Sequence, residues 1–345
     1  MADRAYFLDR GFGESRGVVT LQGRPERLII ARDTDPPCQA LGARSIGRVT
    51  KIDRQSALAF VALEAGPEAV INLRSASPPL AQGAVVEVEV KSEARGDKGA
   101  VVHLIGPGRG APRLTSPAPD LETRMRVLAR SEGVDSGSGA RRAADAAQDE
   151  AIEPLFSLPG GGQIAVEPTR ALTAVDVDMA AAHGPAGKAM VKAVNLAAIR
   201  EAARVLRLKG LGGLVVIDFV GRGHDGPALL AAARSAFAPD NPGVAIGPVS
   251  RFGLMELAIP RRARPVVDIL RGGRPGLGPA TVAMNLLRAL ERQAMADPGG
   301  RFEVATAPDI AEAAGKGFEA LIAKLGARIA LRPEQDRVEF EIRRS

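Results

Sequence analysis

Three aspartates offer the clearest chemistry in this sequence. Asp176 and Asp178 close the run Leu172-Thr173-Ala174-Val175-Asp176-Val177-Asp178, and Asp218 closes Leu214-Val215-Val216-Ile217-Asp218. Side chains alternate along an extended chain, so Leu172, Ala174, Asp176 and Asp178 share one strand face, and Thr173, Val175 and Val177 share the other. Leu214, Val216 and Asp218 likewise share a face. If the two strands are parallel neighbours, all three acids gather at the carboxyl-end edge, where open α/β sheets keep their ligands. A carboxylate in an apolar setting is costly unless it is paired or metal-bound. Oxygen ligands with no histidine or cysteine nearby suit magnesium or manganese. The residues alone leave a second arrangement open, in which Asp176 and Asp178 cap a turn and Asp218 meets an arginine.

The elements that must position these acids are legible from the pattern. Pro159-Gly160-Gly161-Gly162 is a hairpin-like turn, with strands expected over 163–167 and 172–178. Apolar residues at Val191, Val194, Ala198, Ala202 and Val205 predict a helix over about 187–208. Lys209-Gly210 ends it with a cation in the last turn and a glycine for the left-handed cap. Leu214 to Phe219 is a nearly continuous apolar run, which predicts a strand buried on both faces. Strand, helix and strand in this order imply a crossover with the two strands parallel.

Around this core, residues 5–30 read as two or three strands around turns, over 5–8, 17–22 and 27–30. Five short strands (45–52, 57–63, 69–73, 84–90 and 100–104) suit an OB-type barrel, although a small sandwich would give much the same pattern. The Gly- and Pro-rich stretch 106–119, carrying Arg109 and Arg113, reads as a linker. A helix over 120–132, a flexible break over 133–139 and a second helix through Gln148 follow it. Beyond Pro265 the pattern predicts a loop over 272–278, a helix over 281–295 and a β-α-β-β tail over 302–342.

Composition narrows the classes. The 345 residues are 46 % apolar and 25 % charged, as in soluble globular domains. The formal charge of +6, carried mostly by arginine, favours polyanionic partners. One cysteine, Cys38, excludes an internal disulfide and a thiolate metal cage. The three scattered histidines (His103, His183 and His224) argue against a zinc centre. The start, Met1-Ala2-Asp3-Arg4, lacks the apolar run of a signal peptide, and no apolar stretch approaches the length of a membrane span. The expectation is a cytoplasmic protein with no membrane partner.

Gln163-Ile164-Ala165-Val166-Glu167-Pro168-Thr169-Arg170-Ala171-Leu172-Thr173-Ala174-Val175-Asp176-Val177-Asp178 closely resembles the catalytic segment of the ribonuclease E/G family. So do Asn195-Leu196, Arg204 to Leu208 with Gly212-Gly213, Val216-Ile217-Asp218-Phe219, and Ser250-Arg251-Phe252-Gly253-Leu254-Met255-Glu256, all in family order. The close match runs from about Ile152 to Pro265. More weakly, the N-terminal strands resemble the start of the family's ribonuclease H-like subdomain, and Ser45 to Leu104 resembles its inserted S1-type barrel. In that barrel Ala59-Phe60-Val61 and Arg95-Gly96-Asp97-Lys98-Gly99-Ala100 match positions that touch RNA.

The resemblance implies an α+β and α/β multidomain chain. Residues 1–43 would be the N-terminal strands of the ribonuclease H-like subdomain, and 44–104 the S1-type OB-fold RNA-binding domain. Residues 105–158 would be a linker with a reduced sensor and the ribonuclease H-like remainder, 159–270 a DNase I-like catalytic subdomain, and 271–345 a small C-terminal α/β domain. The implied activity is endonucleolytic cleavage of single-stranded RNA in processing or decay, leaving a 5′-phosphate and a 3′-hydroxyl. Asp176 and Asp218 would hold one magnesium ion, with manganese as a substitute. Arg251 would contact a phosphate or the transition state, its alternative being a salt bridge with Glu256 or another acid. Phe60 would stack a base, its alternative being a place in the barrel core. Lys98 would contact the RNA backbone. The cluster Arg261, Arg262 and Arg264 fits either phosphates or a solvated basic edge.

The sequence departs from the family in several places. Asp178 stands where the family usually has Asn, adding a negative charge beside the metal position. That charge makes Asp178 either a third ligand or a source of repulsion toward phosphate. Met179 to His183 lacks the usual Ser/Gly-Arg-Ala-Thr pattern, and Val70 replaces an aromatic of the barrel. The 50 or so residues between barrel and catalytic core are too few for a complete 5′-end sensor. Arg271-Gly272-Gly273-Arg274-Pro275-Gly276 occupies the place of the paired-cysteine zinc link, so no zinc and no zinc-tied dimer are expected, and the oligomeric state is left open. The alternative function is a non-catalytic RNA-binding protein that keeps the family fold.

Overall fold

The computed structural model describes residues 4–96, 98–130, 135–179, 187–335 and 339–344. Asp97, Gly133 and Ala180 to His183, which figure in the sequence reading, lie outside the described residues. The chain is a mixed α+β protein that divides into two compact units. One comprises Met1–Ala5, Val18–Leu28 and Asp145–Pro265; the other comprises Tyr6–Gly17, Ile29–Ala144 and Val266–Ser345.

Strands β1 (Arg4–Arg10), β2 (Glu14–Leu21) and β3 (Arg24–Arg32) are sequential neighbours in one sheet. Next come β4 (Arg44–Asp53), β5 (Leu58–Ala62), β6 (Ala69–Asn72), β7 (Val85–Ser92) and β8 (Val101–Pro107), the five expected short strands. They close into a ring: β4 pairs with both β5 and β7, β5 with β6, β6 with β8, and β8 with β7. Only the β6–β8 pairing is parallel. Closure leaves one inward side per strand, filled by Val49, Ala59, Val61, Ile71, Val88 and Val102. A sandwich is thereby excluded. The stretch read as a linker is partly ordered, because β9 (Arg113–Ser116) pairs with β4.

Helix α1 (Leu121–Ala129) starts at Asp120, whose carboxylate accepts the Thr123 N–H at 2.7 Å. From Asp135 onward, regular structure occupies part of the stretch expected as a break. Strand β10 (Asp135–Ser136) pairs in parallel with β1, and α2 (Ser138–Ile152) runs past Gln148 to Ile152.

The sheet that carries the aspartates is built from β11 (Leu155–Ser157), β12 (Gln163–Pro168), β13 (Thr173–Asp178), β14 (Gly213–Asp218), β15 (Ala245–Ile246) and β16 (Leu254–Ile259). Its order is β11-β12-β13-β14-β16-β15. Strands β13 and β14 are parallel, joined through α3 (Lys188–Lys209), as the crossover argument requires. Gly210 caps α3 in the left-handed conformation at φ 65°.

One expectation is corrected here. Strand β14 is buried on one face only: Val215 and Ile217 are fully buried, whereas Leu214 is 44 % exposed. Helices α3 and α4 (Gly226–Phe237) cover a single face, packing Ile199, Ala202, Leu206, Leu229 and Phe237 against Val166, Val175, Val215 and Met255. Among the described residues, the side chains of the opposite face are half-buried or exposed.

Polar side chains fasten α3 to the rest of its unit. Glu201 bonds Arg24 (2.7 Å) and Arg204 (2.5 Å), and Arg207 reaches Glu26 (3.1 Å) and Asp240 (2.8 Å). Glu26 also holds Arg4 at 2.8 Å. Buried charges on this scale are tolerated only because each is paired and hydrogen-bonded.

In the other unit, α5 (Val266–Arg271), α6 (Pro279–Ala296), β17 (Phe302–Thr306), α7 (Pro308–Leu325), β18 (Ile329–Pro333) and β19 (Glu341–Arg344) complete the chain. The order β18-β17-β19 with α7 gives the expected β-α-β-β tail. No helix among the described residues is long and apolar enough to cross a membrane.

Candidate active site

Asp176 and Asp218 face each other across the parallel β13–β14 pair as direct Cα partners. Adjacent strands lie about 4.8 Å apart, so one small cation can be reached from both carboxylates. The period of two places them on the open face, because their neighbours Val175, Val177, Val215 and Ile217 turn inward beneath the helices. The site is therefore a solvent-accessible sheet edge rather than the apolar pocket that the flanking sequence suggests.

Charge accumulates on this face. Glu167 stands on β12, Asp178 two residues beyond Asp176, and Glu256 opposite Val216 on β16; all three are exposed. Partial burial, then the charges of Asp218, Asp178 and Glu167, push the Asp176 carboxyl above the ordinary carboxylate range. Neither Asp176 nor Asp218 forms an ion pair with a described residue, so the alternative in which Asp218 meets an arginine is not the arrangement found. Two like charges held side by side without a cationic partner constitute a local electrostatic cost, which a divalent cation would relieve.

Asp178 lies at the exposed end of β13, where its carboxylate accepts a hydrogen bond from the Gln163 amide at 3.3 Å. Among the described residues, no group of three or more His, Cys, Asp or Glu converges as a metal cage. Asp176 and Asp218 thus form a two-carboxylate site. That suits magnesium, which usually keeps several waters and takes one or two carboxylates.

The exit from β14 is clamped. The buried Asn195 amide donates to the Val220 carbonyl (3.0 Å) and accepts the Val220 N–H (3.2 Å), fixing the backbone just past Asp218. Sequence reasoning quoted Asn195 within a motif but gave it no role; a lone Asn on the inner side of an amphipathic helix was the available signal. Close by, the Asp225 carboxylate caps α4 and pairs with Lys192 at 2.7 Å. The Lys192 bond, then the Ala228 N–H, hold the Asp225 carboxyl below its usual range.

Arg251 sits on a tight turn at the same edge. Leu254 is the Cα partner of Asp218, and Ser250 to Gly253 immediately precede it. The Ser250 hydroxyl accepts the N–H groups of Phe252 and Leu254 at 3.3 Å, and the Ser250 carbonyl accepts the Gly253 N–H at 3.0 Å. Gly253 adopts φ +87°, and a Cβ there would meet the His224 ring at 3.0 Å, so the turn requires glycine. The Arg251 guanidinium lies 4.7 Å from the centre of the Phe252 ring and makes no ion pair with a described residue. The Glu256 salt bridge, the alternative role for Arg251, is absent among the described residues.

Phe60 and Lys98 belong to the other compact unit. Phe60 is half-buried on the outward side of β5, with the Lys51 ammonium 5.7 Å from its ring, so it is not part of the barrel core. Lys98 is exposed on a two-residue bridge with Arg95. Arg261 and Arg262 spend their guanidinium groups on the carbonyls of Gly212, Asp240 and Pro242, beyond the Gly213–Ile259 end of the sheet. They stand at the opposite end of β14 from Asp218 and are exposed.

Residues 118–262 match the ribonuclease E/G family. The chain is 33 % identical over 157 residues to ribonuclease E of Haemophilus influenzae, covering 43 % of this chain and 17 % of that protein. It is 32 % identical over 157 residues to ribonuclease E of Escherichia coli, covering 43 % of this chain and 15 % of that protein. It is also 35 % identical over 134 residues to a chloroplastic ribonuclease E/G-like protein of Arabidopsis thaliana, covering 35 % and 13 %. The matches therefore span roughly a sixth of the length of these relatives, and the family match over residues 118–262 contains Asp176, Asp218 and Arg251.

Proposed function

Over residues 118–262 the chain belongs to the ribonuclease E/G family, and on that premise we propose that it is a magnesium-dependent endoribonuclease acting on single-stranded RNA. The observation that carries the reading is the Asp176–Asp218 register: two exposed carboxylates with no ion-pair partner among the described residues, on adjacent parallel strands at one sheet edge. Hard oxygen donors fit magnesium or manganese, no histidine or cysteine joins them in a metal-binding group among the described residues, and one cysteine in the chain gives zinc no thiolate cage. A divalent ion bound there would supply Lewis-acid polarisation of a phosphodiester and a lowered pKa for a bound water.

The chain's own residues do the rest. Asp176 and Asp218 must both be ionised to bind the cation. Arg251, raised on its rigid turn, supplies a guanidinium for a phosphate oxygen or for the charge that develops during in-line attack. Asn195 holds the β14 exit so that Asp218 keeps its rotamer against β13. Asp178 adds negative charge without joining a preformed cage, and it tunes Asp176 rather than replacing it.

The closed barrel of residues 44–104 reads as an S1-type OB domain, with Phe60 and Lys98 on its exterior as RNA contacts; this region lies outside the family match. Residues 1–43, 105–158, 159–270 and 271–345 take the remaining roles set out from the sequence. The site of action is proposed to be the cytoplasm.

The deciding test uses purified full-length chain and an unstructured, 5′-labelled RNA. Magnesium-dependent internal cleavage, lost in Asp218→Asn, supports the enzyme. RNA binding with no products in magnesium or manganese identifies a non-catalytic binding protein instead.

A further inference from the structure

Ten phenylalanines and one tyrosine make up all the aromatic side chains of this chain, and every one lies within the described residues. Ten of the eleven are buried or half-buried. Phe252 alone is exposed, at 71 % of its surface. An aromatic ring left in water at a position free to be polar forgoes the gain of burial. Its backbone is also fixed, by the Ser250 hydroxyl on one side and the left-handed Gly253 on the other. The turn displays a rigid ring.

The location gives the ring its meaning. Leu254 registers with Asp218, and the Phe219 N–H bonds the Gly253 carbonyl at 3.2 Å, so the turn is stitched to the strand end that carries the metal-binding aspartate. Two residues span at most about 7 Å and neighbouring strands lie about 5 Å apart, which places the Phe252 Cα within roughly 12 Å of the Asp218 Cα. The Arg251 guanidinium stacks on the same ring at 4.7 Å. A cation and an exposed aromatic face, side by side, match the two surfaces of a nucleotide: the phosphate and the base.

We propose that Phe252 is a base-stacking platform that seats a nucleotide beside the scissile phosphate of single-stranded RNA, with Arg251 taking the adjacent phosphate. This rests on the nuclease reading of Asp176 and Asp218 and adds the substrate feature recognised there, an unpaired base. Stacking on an aromatic face is sequence-tolerant because every base has a π-surface. A duplex keeps its bases stacked on each other and offers none to Phe252.

The test is a cycle between the ring and the base, run in EDTA so that no turnover occurs. Affinity for a short unstructured RNA is compared with that for the same RNA carrying abasic residues, in wild type and in Phe252→Ala. Because Phe252 is exposed, both proteins should show the same circular dichroism. The expected result is a loss of about 5- to 150-fold in Phe252→Ala on intact RNA, and little change on abasic RNA. The chain has no tryptophan, so Phe252→Trp adds a single reporter, whose fluorescence intact RNA should quench and abasic RNA should not.

Equal losses on both RNAs, or unquenched indole fluorescence in Phe252→Trp while intact RNA is bound, overturn the stacking role and leave the nuclease reading standing. So does a change of oligomeric state in Phe252→Ala with unchanged RNA affinity, which makes the ring a protein contact. A wild-type protein that neither binds nor cleaves RNA removes both.

Discussion

Replacing Asp218 by Asn should stabilise the metal-free protein while abolishing its activity. The two carboxylates are direct register partners, about 5 Å apart, with no cationic partner among the described residues. Two unit charges at that separation repel by roughly 0.8 kcal/mol in water, and less in salt. The open face argues for this solvent-screened figure rather than a low-dielectric one. Asp218→Asn in EDTA at pH 7 should therefore gain about 0.5 kcal/mol, raising Tm by roughly 1–2 °C. With magnesium at 100 times Kd the wild type should gain about 2.7 kcal/mol, a shift the variant largely loses. Cleavage should fall at least about 100-fold, as when one preorganised electrostatic contact is removed. Differential scanning fluorimetry with and without metal, alongside a gel-based cleavage assay, measures all three. A variant less stable than wild type in EDTA, or one with an undiminished magnesium shift, would refute the shared-cation argument.

Asp178→Asn removes a charge that helps raise the Asp176 carboxyl, so Asp176 should ionise at lower pH. The acid limb of the pH–rate profile should move down, and an unmoved limb would show that Asp176 does not govern it. Asn195→Ala leaves the Val220 N–H and carbonyl without their side-chain partners and should cost about 1–3 kcal/mol in denaturant unfolding, with kcat reduced more than KM raised. Glu26→Gln removes the counter-charge of Arg4 and of the nearly buried Arg207 and should cost about 3 kcal/mol at neutral pH. Burial alone would raise the Glu26 carboxyl, but the Arg4 hydrogen bond and the Arg207 charge outweigh it and lower it. Its contribution is thus complete above the ordinary Glu pKa of about 4.3 and is lost as pH falls through the depressed folded value. The stability gap between Glu26→Gln and wild type should close in acid; a gap that persists there would assign the loss to packing.

The aspartates, their strands and the parallel pairing were legible because they rest on local regularities. Period two assigned Asp176 and Asp178 to one face, and the 3.6-residue period of α3 between two strands left little choice but a crossover. The barrel strands followed from five short runs separated by turn residues. What could not be read was which face of β14 the helices would cover, because Leu214 and Val216 look as apolar as Val215 and Ile217. Composition records hydrophobicity; only the packing of α3 and α4 decides where water remains. The same limit hid the exposure of Phe252 and the carbonyl contacts of Arg261 and Arg262. It also hid the fastening of α3, because Glu201 meets Arg24, and Arg207 meets Glu26, across more than 170 residues of sequence. Sequence alone named the residues proposed to carry the chemistry. The tertiary fold decided which of them share a surface, because long-range pairing and one-sided burial are properties of the assembled layers and not of any segment.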